Sequence, residues 1–397
     1  MTCRQFYIML AVMVVTLKIQ KLPCILSGIM GKDAYVMIML YFVIELFLVM
    51  LAFFIANRTR NHTYEFKDNL ALRLFKRVLL IAAGLYFLMQ GVLFYEAIQD
   101  LFAHILFENL PWTLFSLLLV ALVFYLANSG LRNIALNYEL YAFIVIGSLI
   151  MILIFGAVRT DVTSVLPLQT INFSAVKNSF VKINFWFGDF FFVLVLARES
   201  KEIKFKWTVL TYVITMVFVI SMVIVFTGIY LSYSPMQPSL VSVLSEQSML
   251  GVDIGRIDWF LILLSEIGTI LSSGVCLYFA KKCIHGAMPK IKQGYILAVL
   301  MLALYLLDVL LLVDLRMKLI VYMGILSYFG LAIKIIVLIV GVILAICAKN
   351  ERKDETQNKD DNEVIHKVKK QVLNETANGP LKQLKQAQRA SKRKVKA

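Results

Sequence analysis

The sequence has little charge and almost no histidine. Charged residues make up 16% of its 397 positions, well below the roughly 25% usual in soluble domains. The four histidines, His62, His104, His285 and His366, are too scattered to suggest a His metal cluster. The five cysteines, Cys3, Cys24, Cys276, Cys283 and Cys347, are odd in number and lack metal-ligand spacing, so neither a disulfide framework nor a metal site is expected. There is no Walker loop, no paired-histidine zinc helix and no nucleophile elbow. No enzyme activity, no catalytic residue and no cofactor is therefore expected.

What the chain does have is apolar length. It is 60% hydrophobic, with a mean hydropathy of +0.80. Apolar runs of about 20 residues recur, the length that crosses a hydrocarbon core of about 30 Å. Ten spans are predicted, at about 6–29, 34–56, 78–99, 111–128, 138–158, 184–198, 207–231, 257–280, 293–313 and 319–348. The fold class is all-α integral membrane, with a ten-helix transmembrane domain over 1–348 and a basic, partly disordered cytoplasmic tail over 349–397. Arg4 followed by the apolar run 6–17 has the outline of a signal peptide. No small-residue cleavage site follows it, so residues 1–30 are expected to remain as a span.

The net charge of +15 says most through its placement. With the N-terminus inside, loop 58–77 (Arg58, Arg60, Lys67, Arg73, Lys76, Arg77), loop 198–206 (Arg198, Lys201, Lys204, Lys206) and loop 281–292 (Lys281, Lys282, Lys290, Lys292) all fall on the cytoplasmic side. Loops 100–110 and 232–255 lack Lys and Arg and fall outside. That asymmetry predicts both termini in the cytoplasm and an even number of spans. Basicity then needs no nucleic acid. The tail, ending SKRKVKA, is expected to be a solvated segment or to dock on anionic lipid headgroups. Asn57 and Asn61 head glycosylation sequons, but these lie in a loop predicted to be cytoplasmic.

Two spans are interrupted. In the first, Lys18, Gln20, Lys21 and Pro23 stand near mid-depth. A charge at the bilayer centre costs about 2.5–3.5 kcal/mol on the insertion scale, and proline removes a backbone donor. Such a segment survives where it faces protein or a water-filled cavity; snorkelling of the two lysines is the alternative. In the sixth, Gly188-Asp189 sits among aromatics in the run Asn184 to Phe192. Glycine permits unwinding, and a buried carboxylate must be paired, protonated or hydrated. A plain capping role at the start of a half-helix remains open for Asp189. Glu266, in the eighth span, has small neighbours (Ser265, Gly268, Thr269, Ser272, Ser273, Gly274) that suit either close helix contact or a cavity wall. Glu45, Glu96, Asp308 and Lys334 are further intramembrane polar candidates; Glu45 and Lys334 each need a partner from another helix.

Spans one and six are corresponding members of two five-helix halves. Inverted repeats with broken first helices are the LeuT-like 5+5 arrangement. The motif order then resembles the B-subunit family of spore germination nutrient receptors, within the amino acid–polyamine–organocation transporter superfamily. The resemblance rests on Cys3-Arg4-Gln5-Phe6 with Leu22-Pro23 and Gly31-Lys32-Asp33-Ala34, on Leu110-Pro111-Trp112-Thr113, and on Ala127 to Ala135 around Gly130. It continues through Leu166-Pro167, Phe187-Gly188-Asp189 and Gly255-Arg256-Ile257-Asp258-Trp259-Phe260. Three departures stand out. Leu17-Lys18-Ile19-Gln20 replaces a glycine-containing break, Asp189 stands where glutamate is usual, and the basic tail is longer than the resemblance implies. The resemblance implies a receptor subunit that senses a small nutrient such as an amino acid, with A-type and C-type subunits as partners. It implies location in the bacterial cytoplasmic (spore inner) membrane. The alternative is an amino acid or polyamine secondary transporter. The candidate ligand-binding set, drawn from spans one, three, six and eight, is Lys18, Ile19, Gln20, Tyr95, Phe187, Gly188, Asp189 and Glu266.

Overall fold

The computed structural model describes residues 1–59, 70–105, 112–160, 173–200, 203–230, 239–246, 257–306, 327–343 and 346. The chain divides into two compact units, Met1–Gly341 and Val342–Ala397; apart from 342, 343 and 346, the second lies outside the described residues. The regular elements described are all helical. They are α1 (Cys3–Ile19), α2 (Leu22–Met30), α3 (Ala34–Thr59), α4 (Leu70–Ile105), α5 (Trp112–Ser129), α6 (Leu131–Arg159), α7 (Phe173–Ile183), α8 (Asp189–Glu199), α9 (Phe205–Tyr230), α10 (Leu240–Glu246), α11 (Ile257–Ala287) and α12 (Gln293–Leu306), then α13 (Ser327–Ile343). Among the described residues, five helical stretches are long and apolar enough to cross a membrane: Leu22–Arg58, Leu74–Tyr95, Leu131–Arg159, Phe205–Tyr230 and Phe260–Ala287. The first of these runs through a single 3-10 turn at Gly31–Asp33. Large apolar side chains such as Phe143, Ile214 and Val299 point outward, as lipid-facing positions must when no water is present to favour polar ones. The protein is a multi-pass membrane protein.

The helix ends follow local rules. Thr2 caps α1: its hydroxyl accepts from Gln5 N at 3.3 Å, and Gln5 Oε1 accepts from Thr2 N at 3.0 Å, a reciprocal capping box. α1 stops at Ile19, and α2 restarts at Leu22 with Pro23 in its first turn. Proline is tolerated there because the first N–H groups of a helix have no internal acceptor. Pro23 thus opens a new helix as much as it ends the old one. α2 ends at Gly31, whose φ of 61° is a left-handed value that a side chain would resist.

Three expectations about span limits need correction. The fifth span begins at Leu131, not near 138. Gly130, with φ of 86°, is the single residue between α5 and α6, and its carbonyl accepts from Asn133 N and Ile134 N, both at 3.1 Å. The interval expected between the fourth and fifth spans is therefore a single glycine with helix on either side. Helix also begins eleven residues before the expected start of the sixth span, because α7 precedes the break. α7 carries Lys177, Asn178 and Lys182, which hid it from a hydropathy reading. Finally, the outer loop expected at 232–255 contains the short helix α10.

α11 is the central element. It packs on α1, α4, α5, α6 and α12. Glycine makes the α4 contact close: a Cβ on Gly91 would lie 3.5 Å from Cys276 Cβ, and one on Gly84 would lie 3.3 Å from the Ala280 carbonyl. Ser273 donates to the Gly91 carbonyl at 3.2 Å. Small residues with interhelical hydroxyl bonds are the usual means of joining helices where lipid removes the hydrophobic drive. The opposite side of the break region is formed by α3, which packs on α8 and α9.

Candidate functional site

The two helix breaks meet, and their charges pair. Lys18 lies in the last turn of α1, and Asp189 opens α8. Lys18 Nζ donates to both Asp189 oxygens, each at 2.7 Å, and both side chains are fully buried. Tyr212 of α9 donates to Asp189 Oδ2 at 2.7 Å. The ammonium also lies over the rings of Phe187 and Phe42, 4.9 and 5.4 Å from their centroids, a favourable position over a negative π face. Each charge sits at the helix end that suits it, a cation at the C-terminus of α1 and an anion at the N-terminus of α8.

A second pair grips the other side of the same break. Glu45 of α3 accepts from Phe190 N at 3.0 Å, capping the start of α8. Its second oxygen meets Lys334 Nζ of α13 at 3.5 Å. Lys334 also donates to the Asn184 carbonyl at 3.2 Å, to Asn184 Oδ1 at 3.1 Å and to the Phe187 carbonyl. Lys334 thus caps the 3-10 turn that follows α7, where the Asn184 carbonyl also accepts from Phe187 N at 3.2 Å. Carboxylate and ammonium thus complement the positive and negative ends of the two half-helices. Glu45 interacts electrostatically with Lys334, Asp189 and Lys18. The four side chains form one buried cluster whose formal charges cancel. Glu45 and Lys334, each isolated in its own span, are partners of one another.

Gly188 is needed by this geometry for lack of bulk. A Cβ there would be driven into the Tyr86 hydroxyl and would stand 3.3 Å from Gln90 Nε2. Gln90 donates to Tyr86 Oη at 3.1 Å and to the Phe185 carbonyl, so the α4 side chains that hold the break cannot yield freely. Gly188→Ala is expected to lower stability by about 1–3 kcal/mol through overpacking, read as a lower thermal unfolding midpoint of the purified protein. An unchanged midpoint would show that Tyr86 and Gln90 do not hold the break.

The remaining expected residues divide. Phe187 lies in the cluster, its ring stacked on Tyr41 at a centroid distance of 4.6 Å. Ile19 is buried in the core. Gln20 and Glu266 meet: Gln20 Nε2 donates to Glu266 Oε1 at 2.6 Å. Tyr95 is not brought to the charge cluster by the contacts of its hydroxyl, which lies 2.7 Å from both the Ser116 carbonyl and Ser116 Oγ and so joins α4 to α5. Asp308, the side chain of Glu96 and the tail lie outside the described residues. Sequence reasoning missed Tyr212, Phe42, Gln90 and Asn184. Of these only Gln90, a lone amide in an apolar span, carries a signal of its own. Among the described residues, no group of three or more His, Cys, Asp or Glu could hold a metal ion.

Comparison with known proteins gives two results. A family model described as spore germination protein matches residues 1–314. Among solved structures, three of the Eremococcus coleocola manganese transporter are similar: two single-residue mutants, and one in complex with an aromatic bis-isothiourea substituted compound. Each has 14% identity and a TM-score of 0.50, covering 87% of this chain and 78% of the other. That likeness is one of fold, a transporter-type helical membrane fold. No curated protein matches the chain by sequence.

Proposed function

The chain belongs to the spore germination protein family, and on that footing we propose that it is the membrane subunit of a spore germinant receptor, sensing a small nutrient between its two interrupted spans. The architecture that goes with this reading is ten spans in two inverted five-helix halves, with α1/α2 and α7/α8 as the equivalent broken helices. Both termini face the cytoplasm of the cell whose inner membrane the spore keeps. A-type and C-type subunits read the state of the site, and the basic tail rests on anionic headgroups.

The observation that carries the proposal is the buried Lys18–Asp189 pair. It joins the end of α1 to the start of α8, so the two breaks are held in one arrangement by the chain's own charges. A small nutrient carrying a carboxylate and an ammonium group, as an amino acid does, offers each partner a replacement. Its carboxylate suits Lys18 and its ammonium suits Asp189. Exchange would release α1 from α8 without leaving either charge bare. The shift is limited to the ligand's difference in affinity between the closed and exchanged arrangements; carrying the population from 1:99 to 99:1 takes about 5.5 kcal/mol.

The test uses spores whose receptor carries Lys18→Met together with Asp189→Leu, which removes both charges and leaves neither unpaired. The expected result is a protein present at wild-type level that gives no germination across the nutrient range. A wild-type dose response in that variant would overturn the reading. Substrate counterflow in proteoliposomes separates sensing from transport: a sensor gives none, and sustained counterflow of an amino acid or polyamine would make this chain a transporter.

A further inference from the structure

A second polar group lies where α1 meets α11, apart from the four-charge cluster, and it is incomplete in one direction. Glu266 and Gln20 are 1% and 4% exposed. Their mutual bond uses Gln20 Nε2 and Glu266 Oε1, and the same amide reaches Thr269 Oγ1 at 3.4 Å. The other two oxygens, Glu266 Oε2 and Gln20 Oε1, have no hydrogen-bond partner among the described residues. The backbone carbonyl of Gln20, by contrast, accepts from Leu240 N at 3.0 Å. Among the described residues, the side chains acting on Glu266 are Gln20 and Thr269, with no Lys or Arg among them. Lys18 and Lys334 are already engaged by Asp189 and by Glu45, Asn184 and Phe187.

Every open atom here is an acceptor. An ionised carboxylate buried without a counter-charge costs several kcal/mol. The neighbourhood adds to the demand, because Gln20 caps the C-terminal end of α1, where the helix carries partial negative charge. The Ile19 carbonyl would ordinarily accept from residue 23, which is proline and has no N–H. One turn back along α1 the contact is closed: Thr16 Oγ1 and Tyr138 Oη lie 3.3 and 2.8 Å from Ser272 Oγ, and a Cβ on Gly268 would press on Thr16 and Val12. The open acceptors are thus confined to the Gln20–Glu266 level.

We propose that this level is a cation site that takes a primary ammonium group, which donates to Glu266 Oε2 and Gln20 Oε1 and neutralises the carboxylate. On the sensing reading above, where Asp189 takes the nutrient's first ammonium, this one is a second amine of the nutrient; the binding itself does not rest on that reading. The site then selects ligands with a protonated amine over carboxylates that lack one.

The experiment measures the thermal unfolding midpoint of the purified full-length protein in detergent. The probes are n-propylammonium chloride, sodium chloride, potassium chloride and sodium propionate at matched ionic strength. Saturating propylammonium is expected to raise the midpoint by about 2–4 °C relative to the alkali salts. The shift should persist in Lys18→Met/Asp189→Leu and vanish in Glu266→Gln, which keeps the shape of the side chain and removes its charge. Gln20→Met, which removes the other open oxygen, should reduce the shift. Equal stabilisation by sodium or potassium overturns the ammonium assignment in favour of an alkali ion. Stabilisation by propionate, a full shift retained in Glu266→Gln, or no shift in the wild type overturns the site. Propylammonium binding by a protein whose spores ignore every nutrient supports the site and counts against the sensing reading, so the two fail separately.

Discussion

Lys18→Met alone is expected to lower the stability of the protein by about 3–5 kcal/mol, the usual result of stripping one partner from a buried ion pair. Asp189 is fully buried, and without the ammonium it keeps one hydrogen bond from Tyr212 and no counter-charge in contact. Asp189→Leu alone is expected to do comparable harm, leaving a buried ammonium over two aromatic rings. The double variant should recover most of the loss, because apolar groups of similar volume often replace a buried pair at little or no net cost. Unfolding midpoints of the four proteins, read as a double-mutant cycle, check this. A double variant no more stable than the weaker single would mean the two charges do not act as a pair. The cycle also supports the germination test, since a folded double variant that ignores nutrient isolates function from stability.

Lys334→Met is expected to be the other severe single change, and more severe than Glu45→Gln. Lys334 meets Glu45 and also donates to the Asn184 carbonyl, Asn184 Oδ1 and the Phe187 carbonyl. Methionine fills the space but satisfies none of these acceptors. The Asn184 carbonyl keeps the Phe187 N–H at 3.2 Å, but each buried acceptor left bare costs about 1–3 kcal/mol, on top of the unpaired carboxylate. Glu45→Gln keeps an amide oxygen for Phe190 N and loses only the charge opposite Lys334. The expected order of unfolding midpoints is wild type, then Glu45→Gln, then Lys334→Met. The reverse order would show that Lys334 does not hold the end of α7.

The legible parts of this molecule are those governed by neighbours in sequence. The break after Ile19 is one, because a lysine at mid-depth and a proline without an N–H act on the same turn whatever surrounds them. The α3, α9 and α11 spans are others, since about 20 apolar residues can satisfy their backbone only as helix. The sequence also marks Glu45 and Lys334 as needing partners. Gly130 is less legible: a glycine after a helix announces an ending, yet nothing local says that the next helix starts one residue later. α7 is hidden for a different reason, because Lys177, Asn178 and Lys182 dilute its apolar content below that of a span.

By itself, then, the sequence determined a helical membrane protein with two damaged spans and a short roster of intramembrane charges. Only the tertiary structure decided which charge answers which. Lys18 and Asp189 are 171 positions apart, and Glu45 and Lys334 are 289 apart. Pairing over such separations depends on which helix faces which, and helix periodicity does not encode that. The same holds for Glu266. Its spacing in the eighth span allowed a wall or a seam, and only the approach of Gln20 brings together two buried residues that each keep an open acceptor oxygen.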